Sequence, residues 1–372
     1  MKRRNILGYA ATGVATAAAL AACSPQNTGP AVQSDSLPRV RWKMATSWPT
    51  SLDTLYGAAE LIAELVSKLT DGRFTIQTFA AGEIVPGLQV LDAIQQGTVE
   101  CGHTASYYYI GKNPALTFGT CVPFGLNTQQ QMAWLYHGGG IEAMNKLYAD
   151  FNTIAFPAGN SGAQMGGWFK REVNNIADLN GLKMRIPGLG GEVLSRLGVN
   201  VQVLPGGEIF LALERGAIDA AEFVGPYDDE KLGLNNAARL YYYPGWWEPG
   251  SSFDLQINLV AWNRLPTEYQ EILKTAASAA NIQTLAKYDV QNPQALKRLI
   301  DGGTQLKAFS PEILQASLAA TTDLLEDMAS INSSFRDIYE PWKEFRDNIR
   351  QWHAVGEFAF SNFVSTPILE GL

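Results

Sequence analysis

Three side chains stand out for their type and surroundings: Arg185, Glu222 and Glu248. Arg185 lies in residues 181–188 (GLKMRIPG), late in a strand-like run and just before a Pro-Gly turn. A guanidinium is a planar fork that matches a carboxylate bidentately. Two readings fit it equally: a rim arginine with a surface partner, or a clamp for an acid. Glu222 interrupts the largely apolar run 218–224, and its plain reading is a solvated strand end. Glu248 closes the stretch 240–252 (LYYYPGWWEPGSS), where five rings fall within seven residues and two prolines flank the acid. Its plain reading is a surface acid beside loop aromatics. If both acids face one cleft they need a compensating charge, because a buried unpaired carboxylate is costly or becomes protonated.

Other chemistries find less support. His103, His137 and His353 are far apart and share no ligand spacing, which argues against zinc. Residues 188–193 (GLGGEV) imitate a dinucleotide loop but end in valine where glycine or alanine belongs. Asn160-Ser161-Gly162 lacks the flanking pattern of a nucleophile elbow. Nothing marks a glycosidase-type carboxylate pair, so no catalytic residue is assigned and the chain is expected not to be an enzyme. The formal net charge of -8 argues against nucleic acid as a partner.

The elements that must position these groups follow from periodicity. The 372 residues are enough for two lobes. Residues 40–46 read as a strand, 55–69 as an amphipathic helix ended by Gly72, and 73–79 as a second strand, a βαβ start. The chain then echoes itself. Residues 74–100 and 199–219 each carry a β-rich segment, Gly-Glu-Ile, a short amphipathic helix and Gly-x-x-acid. His103-Thr104 follows one copy and Glu222-Phe223 the other. Two related α/β lobes are expected, with strand ends facing a shared cleft. Beyond Trp262 the pattern turns helical: a helix from about Pro266 to Gln291 with Thr267 and Gln270 as a capping box, a short one over 293–300, and one opened by Ser310-Pro311. Pro341 is expected to break or kink the last helical stretch.

The N-terminus has a basic start, a small apolar run and Leu20-Ala21-Ala22-Cys23. Residues 1–22 read as a secretory signal with a lipobox-like end, and Cys23 as the lipid-modified first mature residue. Residues 23–38 are then lipid anchor and polar tether. Arg3-Arg4 leaves Sec or twin-arginine export open. Cys101 and Cys121 could pair in an oxidising compartment, which the sequence does not decide.

Three segments together resemble a family: residues 181–198, residues 204–229 (LPGGEIFLALERGAIDAAEFVGPYDD) and residues 241–250 (YYYPGWWEPG). They resemble the solute-binding subunits of TRAP (tripartite ATP-independent periplasmic) transporters, the DctP family, and within it the 2-oxo-acid and lactate-binding subgroup. The resemblance runs from about Val40 to the C-terminus. It implies an α/β, two-lobed periplasmic-binding-protein-like fold with a cleft between the lobes and a long C-terminal helical region. Residues 39–160 are then mostly lobe 1, 161–262 mostly lobe 2, and 263–372 a helical region packing across both. It further implies that Arg185 clamps the substrate carboxylate, and that Gln164 in residues 159–167 (GNSGAQMGG) touches substrate and cation. Glu222, the carbonyl of Phe223 and Glu248 would be cation ligands, with Tyr107 and Trp247 on the substrate side. Phe223 departs from the tryptophan expected in the subgroup. A carbonyl ligand survives that change, whereas the pocket shape need not.

The charges fit a cation. Two acids and a substrate carboxylate oppose one arginine, so a monovalent ion leaves one negative charge and a divalent ion none. Oxygen-only ligands suit Na+ or Ca2+ rather than zinc, and the resemblance implies Na+, with Ca2+ as the alternative. The expectation is a periplasmic, lipid-anchored receptor for a small 2-oxo or 2-hydroxy monocarboxylate that closes like a hinge and serves TRAP membrane subunits. The alternatives are a dicarboxylate or sugar acid on the same fold, or a secreted carbohydrate hydrolase. A homodimer built by exchange of the helix that starts at Pro311 is a further implication of the resemblance.

Overall fold

The computed structural model describes residues 37–369. The expected signal segment, Cys23 and nearly all of the expected tether lie outside the described residues. Eleven strands are present among those described: β1 (Val40–Thr46), β2 (Phe74–Phe79), β3 (Cys101–Thr104), β4 (Thr153–Asn160), β5 (Gly167–Phe169), β6 (Lys183–Arg185), β7 (Asn200–Gln202), β8 (Ala220–Ala221), β9 (Leu240–Tyr243), β10 (Ser252–Asn258) and β11 (Gln305–Ala308). They form two sheets, ordered β2-β1-β3-β10-β4 and β11-β9-β5-β8-β6-β7.

The internal echo is topological. In the first sheet β1 is followed by the helix Leu55–Leu69, then β2, the helix Val90–Gln95 and β3. In the second, β6 is followed by Gly188–Arg196, then β7, Gly206–Glu214 and β8. Each set runs parallel in the order second-first-third. Each third strand then pairs antiparallel with a strand from elsewhere in the chain, β3 with β10 and β8 with β5. The extra residues of the first copy lie in turns, because Gly82-Glu83-Ile84 precedes its helix while Gly207-Glu208-Ile209 lies inside the second.

The aromatic stretch is strand and then turn. Alternation along β9 sends Tyr241 and Tyr242 to opposite faces. Tyr241 stacks on Trp168 at 4.0 Å in one buried cluster, and Tyr242 packs on Phe309 at 4.9 Å in the other. Tyr243 is exposed. Two strands bind the halves together: β10 returns to the first sheet after the aromatic turn, and β11 joins the second from within the helical region.

The C-terminal region departs from the sequence reading. Thr267–Asp301 is one helix of 35 residues that runs through Pro293, not two. Pro293 is exposed, and buried Ala280, Tyr288, Ala295 and Leu299 pack the helix on both sides of it. Packing therefore outweighs one lost backbone bond. Pro341 likewise lies inside Ser333–Val355 and does not end it. The expected capping box at Thr267 is absent. Pro266 is the N-cap, and the Gln270 amide donates to the carbonyl of Trp262 at 3.0 Å. Ser310 does cap Pro311–Ile331, accepting from the amide of Ile313. Cys101 and Cys121 are buried free thiols, so the pairing left open by the sequence is not made. Among the described residues no helix is long and apolar enough to cross a membrane.

Candidate functional site

Strand register brings the first two residues together. β6 and β8 run parallel with Arg185 beside Ala221, so the next residue, Glu222, meets the guanidinium. Arg185 Nη1 donates to Glu222 Oε1 at 2.5 Å and to the Glu222 carbonyl at 2.8 Å. Its Nε donates to the Leu204 carbonyl at 3.0 Å. Arg185 is 1% exposed and Glu222 0%, so this is no rim arginine. Burial pushes the Glu222 carboxyl well up, and the arginine charge opposes that shift. The pair is only half satisfied: Arg185 Nη2 and Glu222 Oε2 are buried without a hydrogen-bonding partner among the described residues. The Phe223 ring centroid lies 5.7 Å from the guanidinium carbon.

A turn delivers Glu248. Gly245 donates its amide to the Gln164 carbonyl at 3.0 Å, and Gln164 donates its own to the Glu248 carbonyl at 3.1 Å. A Cβ on Gly245 would lie 2.6 Å from the carbonyl oxygens of both Gln164 and Met165, so only glycine lets the two segments approach this closely. Glu248 is buried. Its Oε2 accepts from Ser251 Oγ at 2.6 Å, and Tyr107 lines a small cavity with it. Burial pushes its carboxyl up to about 7. Gln164 donates from Nε2 to Ser161 Oγ at 3.0 Å, while its Oε1 is buried without a partner.

Tyr107, Trp247 and Glu248 share a cavity of about 10 Å³ with Cys121, Leu189 and Gly190. A groove of about 630 Å³ runs past Tyr107, Ile186 and Gly188 but does not reach Arg185, Glu222 or Gln164. The charged groups are thus sealed in this conformation. The structure brings together all seven residues singled out on the described chain: Gln164, Arg185, Glu222, Phe223 and Glu248 around the ion pair and turn, with Tyr107 and Trp247 against Glu248. Sequence reasoning missed the Leu204 carbonyl, Ser161, Ser251 and Tyr108. Burial raises the Tyr108 hydroxyl to about 12, and Arg185, Glu222 and Glu248 act on it electrostatically. Ser161 and Ser251 were visible only as polar neighbours of Gln164 and Glu248.

Among the described residues, no three His, Cys, Asp or Glu side chains gather as a metal cluster. His103 is a neutral core residue. Trp48 Nε1 donates to its Nδ1 at 2.8 Å, its Nε2 lies 3.2 Å from the Ala158 carbonyl, and burial lowers its pKa to about 4. What the site does offer is oxygen: two carboxylates, an amide and main-chain carbonyls. That donor set suits a hard cation.

A family model described as bacterial extracellular solute-binding protein, family 7 (DctP) matches residues 44–331. The chain belongs to the DctP family. It is 63% identical over 366 residues to a monocarboxylate 2-oxoacid-binding periplasmic protein of Nostoc sp., covering 98% of this chain and 100% of that protein. A TRAP transporter solute-binding protein of Bordetella bronchiseptica superposes with a TM-score of 0.88 at 46% identity, covering 90% of this chain and 100% of that one. It is a mixed-occupancy dimer with copurified calcium and picolinate in its active site. One from Pseudoalteromonas atlantica, with bound sodium and pyruvate, has a TM-score of 0.84 at 35% identity, covering 87% of this chain and 99% of that one. The two-lobed fold expected of a TRAP receptor is therefore the fold of this DctP chain, and its charged residues gather at the ends of parallel strands, where such folds hold ligands.

Proposed function

We propose that this DctP chain is the extracytoplasmic receptor of a TRAP transporter and binds a small 2-oxo monocarboxylate of the pyruvate class together with a cation. The observation that carries the reading is the complementary set of buried site atoms without partners among the described residues: two donors, Arg185 Nη2 and Trp247 Nε1, and two acceptors, Glu222 Oε2 and Gln164 Oε1. A substrate acid needs the donors and a cation needs the acceptors. Arg185 clamps the acid. Gln164, Glu222, the Phe223 carbonyl and Glu248 hold the ion, and Tyr107 and Trp247 wall the substrate. Pyruvate and picolinate, bound by the two structural relatives, share a carboxylate beside a second donor atom and so chelate a cation in the same five-membered ring. Na+ is the favoured ion and Ca2+ the alternative, since relatives hold either.

Titration calorimetry with pyruvate in Na+, in Ca2+ and in a large organic cation tests this. Equal affinity in all three sinks the cation site, and no heat in any sinks the ligand class. The lipid anchor at Cys23 is tested by palmitate labelling that Cys23→Ser abolishes. For the homodimer, Pro311–Ile331 buries Ile313, Leu324 and Leu325, contacts that helix exchange would remake with a second copy. The terminal helix Glu357–Leu369 leaves Phe358, Phe360 and Phe363 exposed, and we assign a further contact with a second copy to it. Light scattering that finds only monomer at micromolar concentration removes that assignment.

A further inference from the structure

One motif is not absorbed by the ligand site: the paired acids of Pro226-Tyr227-Asp228-Asp229, both fully buried. We infer that Asp228 and Asp229 form a two-sided clasp that couples the ligand site to closure of the lobes. The inference rests on the receptor reading above.

Asp229 faces the site strand. Its Oδ1 accepts the Val224 amide at 3.2 Å, and its Oδ2 accepts Trp168 Nε1 at 2.9 Å and the Tyr241 hydroxyl at 2.7 Å. Val224 follows Phe223 directly, and its carbonyl accepts the amide of Met165 at 3.0 Å. Asp229 therefore fixes the main chain between Phe223 and Gln164, two of the proposed cation ligands. An asparagine at 229 fails in either orientation, because its NH2 must point at an N–H donor, Val224 or Trp168.

Asp228 faces the other lobe. Thr54 Oγ1 donates to its Oδ1 at 2.7 Å and Oδ2 at 2.9 Å, and the Tyr288 hydroxyl donates to Oδ2 at 2.6 Å. Thr54 precedes the helix Leu55–Leu69 and lies in the connection that leaves the carboxyl end of β1 in the first sheet. Asp228 lies in the connection that leaves the carboxyl end of β8 in the second sheet. Tyr288 belongs to the 35-residue helix packed against both of these segments. A second tie runs parallel: Asp53 pairs with Lys231, bonds Lys287 Nζ at 2.9 Å and accepts the Tyr227 hydroxyl at 3.2 Å. One short helix, Pro226–Lys231, thus holds the ligand-bearing backbone on one side and the opposite lobe on the other.

The partners of Asp228 are hydroxyls, which can donate or accept. Asp228→Asn is therefore mild, and Thr54→Val is the sharp test, because it removes the cross-lobe bond at nearly constant volume and touches no proposed ligand residue. Pyruvate dissociation by stopped flow is expected to accelerate about tenfold or more in Thr54→Val, the worth of one charge-assisted bond. The association rate should be unchanged, and Thr54→Ser should restore the wild-type rate. A second readout needs no ligand. Spin labels on Glu60→Cys and Glu208→Cys, in a Cys23→Ser background, report the distance between lobes, and Thr54→Val is expected to lower the closed fraction. Wild-type dissociation and wild-type label distances in Thr54→Val overturn the clasp. A wild-type protein that binds no pyruvate overturns the ligand reading instead, and the label distances then decide the clasp alone.

Discussion

Replacing Arg185 separates the clamp from the scaffold. The guanidinium is 1% exposed, spends Nε on the Leu204 carbonyl and Nη1 on Glu222, and keeps Nη2 without a partner. Arg185→Lys retains the charge beside Glu222 but has one nitrogen for all three tasks. The variant should fold and lose one or two charge-assisted bonds to the ligand carboxylate. At about 1.5–3 kcal/mol each, a total of roughly 3 kcal/mol weakens pyruvate binding by about a hundredfold. Arg185→Ala adds a different injury, because Glu222 is left buried without its counter-charge, a loss of about 3–5 kcal/mol of stability unless the carboxyl takes up a proton. Arg185→Met combined with Glu222→Gln should regain most of that stability and none of the binding. Calorimetry at fixed Na+ reads affinity, and thermal melts in the absence of pyruvate read the fold. A lysine variant that binds pyruvate within threefold of wild type would refute the clamp. An alanine variant as stable as wild type would refute the account of the buried pair.

Glu222→Gln keeps the shape and removes the charge, so the affinity for Ca2+ should fall more than that for Na+, as measured by titrating each ion at fixed pyruvate. In Gly245→Ala the new methyl meets two carbonyl oxygens at 2.6 Å. The turn must shift, at a cost of about 1–3 kcal/mol in denaturant unfolding, and cation binding should weaken with it. Asp254 is fully buried and accepts the Tyr148 hydroxyl at 2.6 Å, and burial raises its pKa from 3.8 to about 7. Its contribution to stability is present below the unfolded value and is lost as pH rises through the folded one. Unfolding free energy should therefore decline between about pH 4 and 7 by an amount on the order of a few kcal/mol. Asp228, Asp229, Glu222 and Glu248 are raised by burial as well, so Asp254→Asn should make the decline shallower without abolishing it, and an unchanged slope would rule the residue out as a contributor.

Much of the first lobe is legible because its elements are long enough to show their period. Leu55–Leu69 repeats at helical spacing, and β2 lies in a run that alternates in and out at strand spacing. The second lobe hides most of its sheet. β5, β6 and β7 have three residues each and β8 only two, too short for alternation to register. There the echo of Gly-Glu-Ile and Gly-x-x-acid carried the inference that periodicity could not. Pro293 misled because a proline rule is local, whereas the helix is decided by the core that Tyr288 and Ala295 enter on either side of it. Arg185 shows the same limit. As one letter it fits a rim or a clamp equally, and only the pairing of β6 with β8 puts it against Glu222.

That pairing also bears on why an acid sits beside an arginine proposed to clamp an acid. Glu222 takes one side of the guanidinium and leaves the other, while Arg185 takes one carboxylate oxygen and leaves the other. Each group holds its partner at a fixed angle and retains one unmet valence. In an open cleft water can meet both. Closure without ligand buries them unmet, at about 1–3 kcal/mol for each orphaned group and more where it is charged. A carboxylate bound with a cation meets both at once, so only the pair removes the whole penalty. A receptor built this way resists closing on the acid alone or on the ion alone. In the proposed receptor, dependence of binding on the cation and coupling of binding to closure would have one physical source, the half-satisfied ion pair at the ends of β6 and β8.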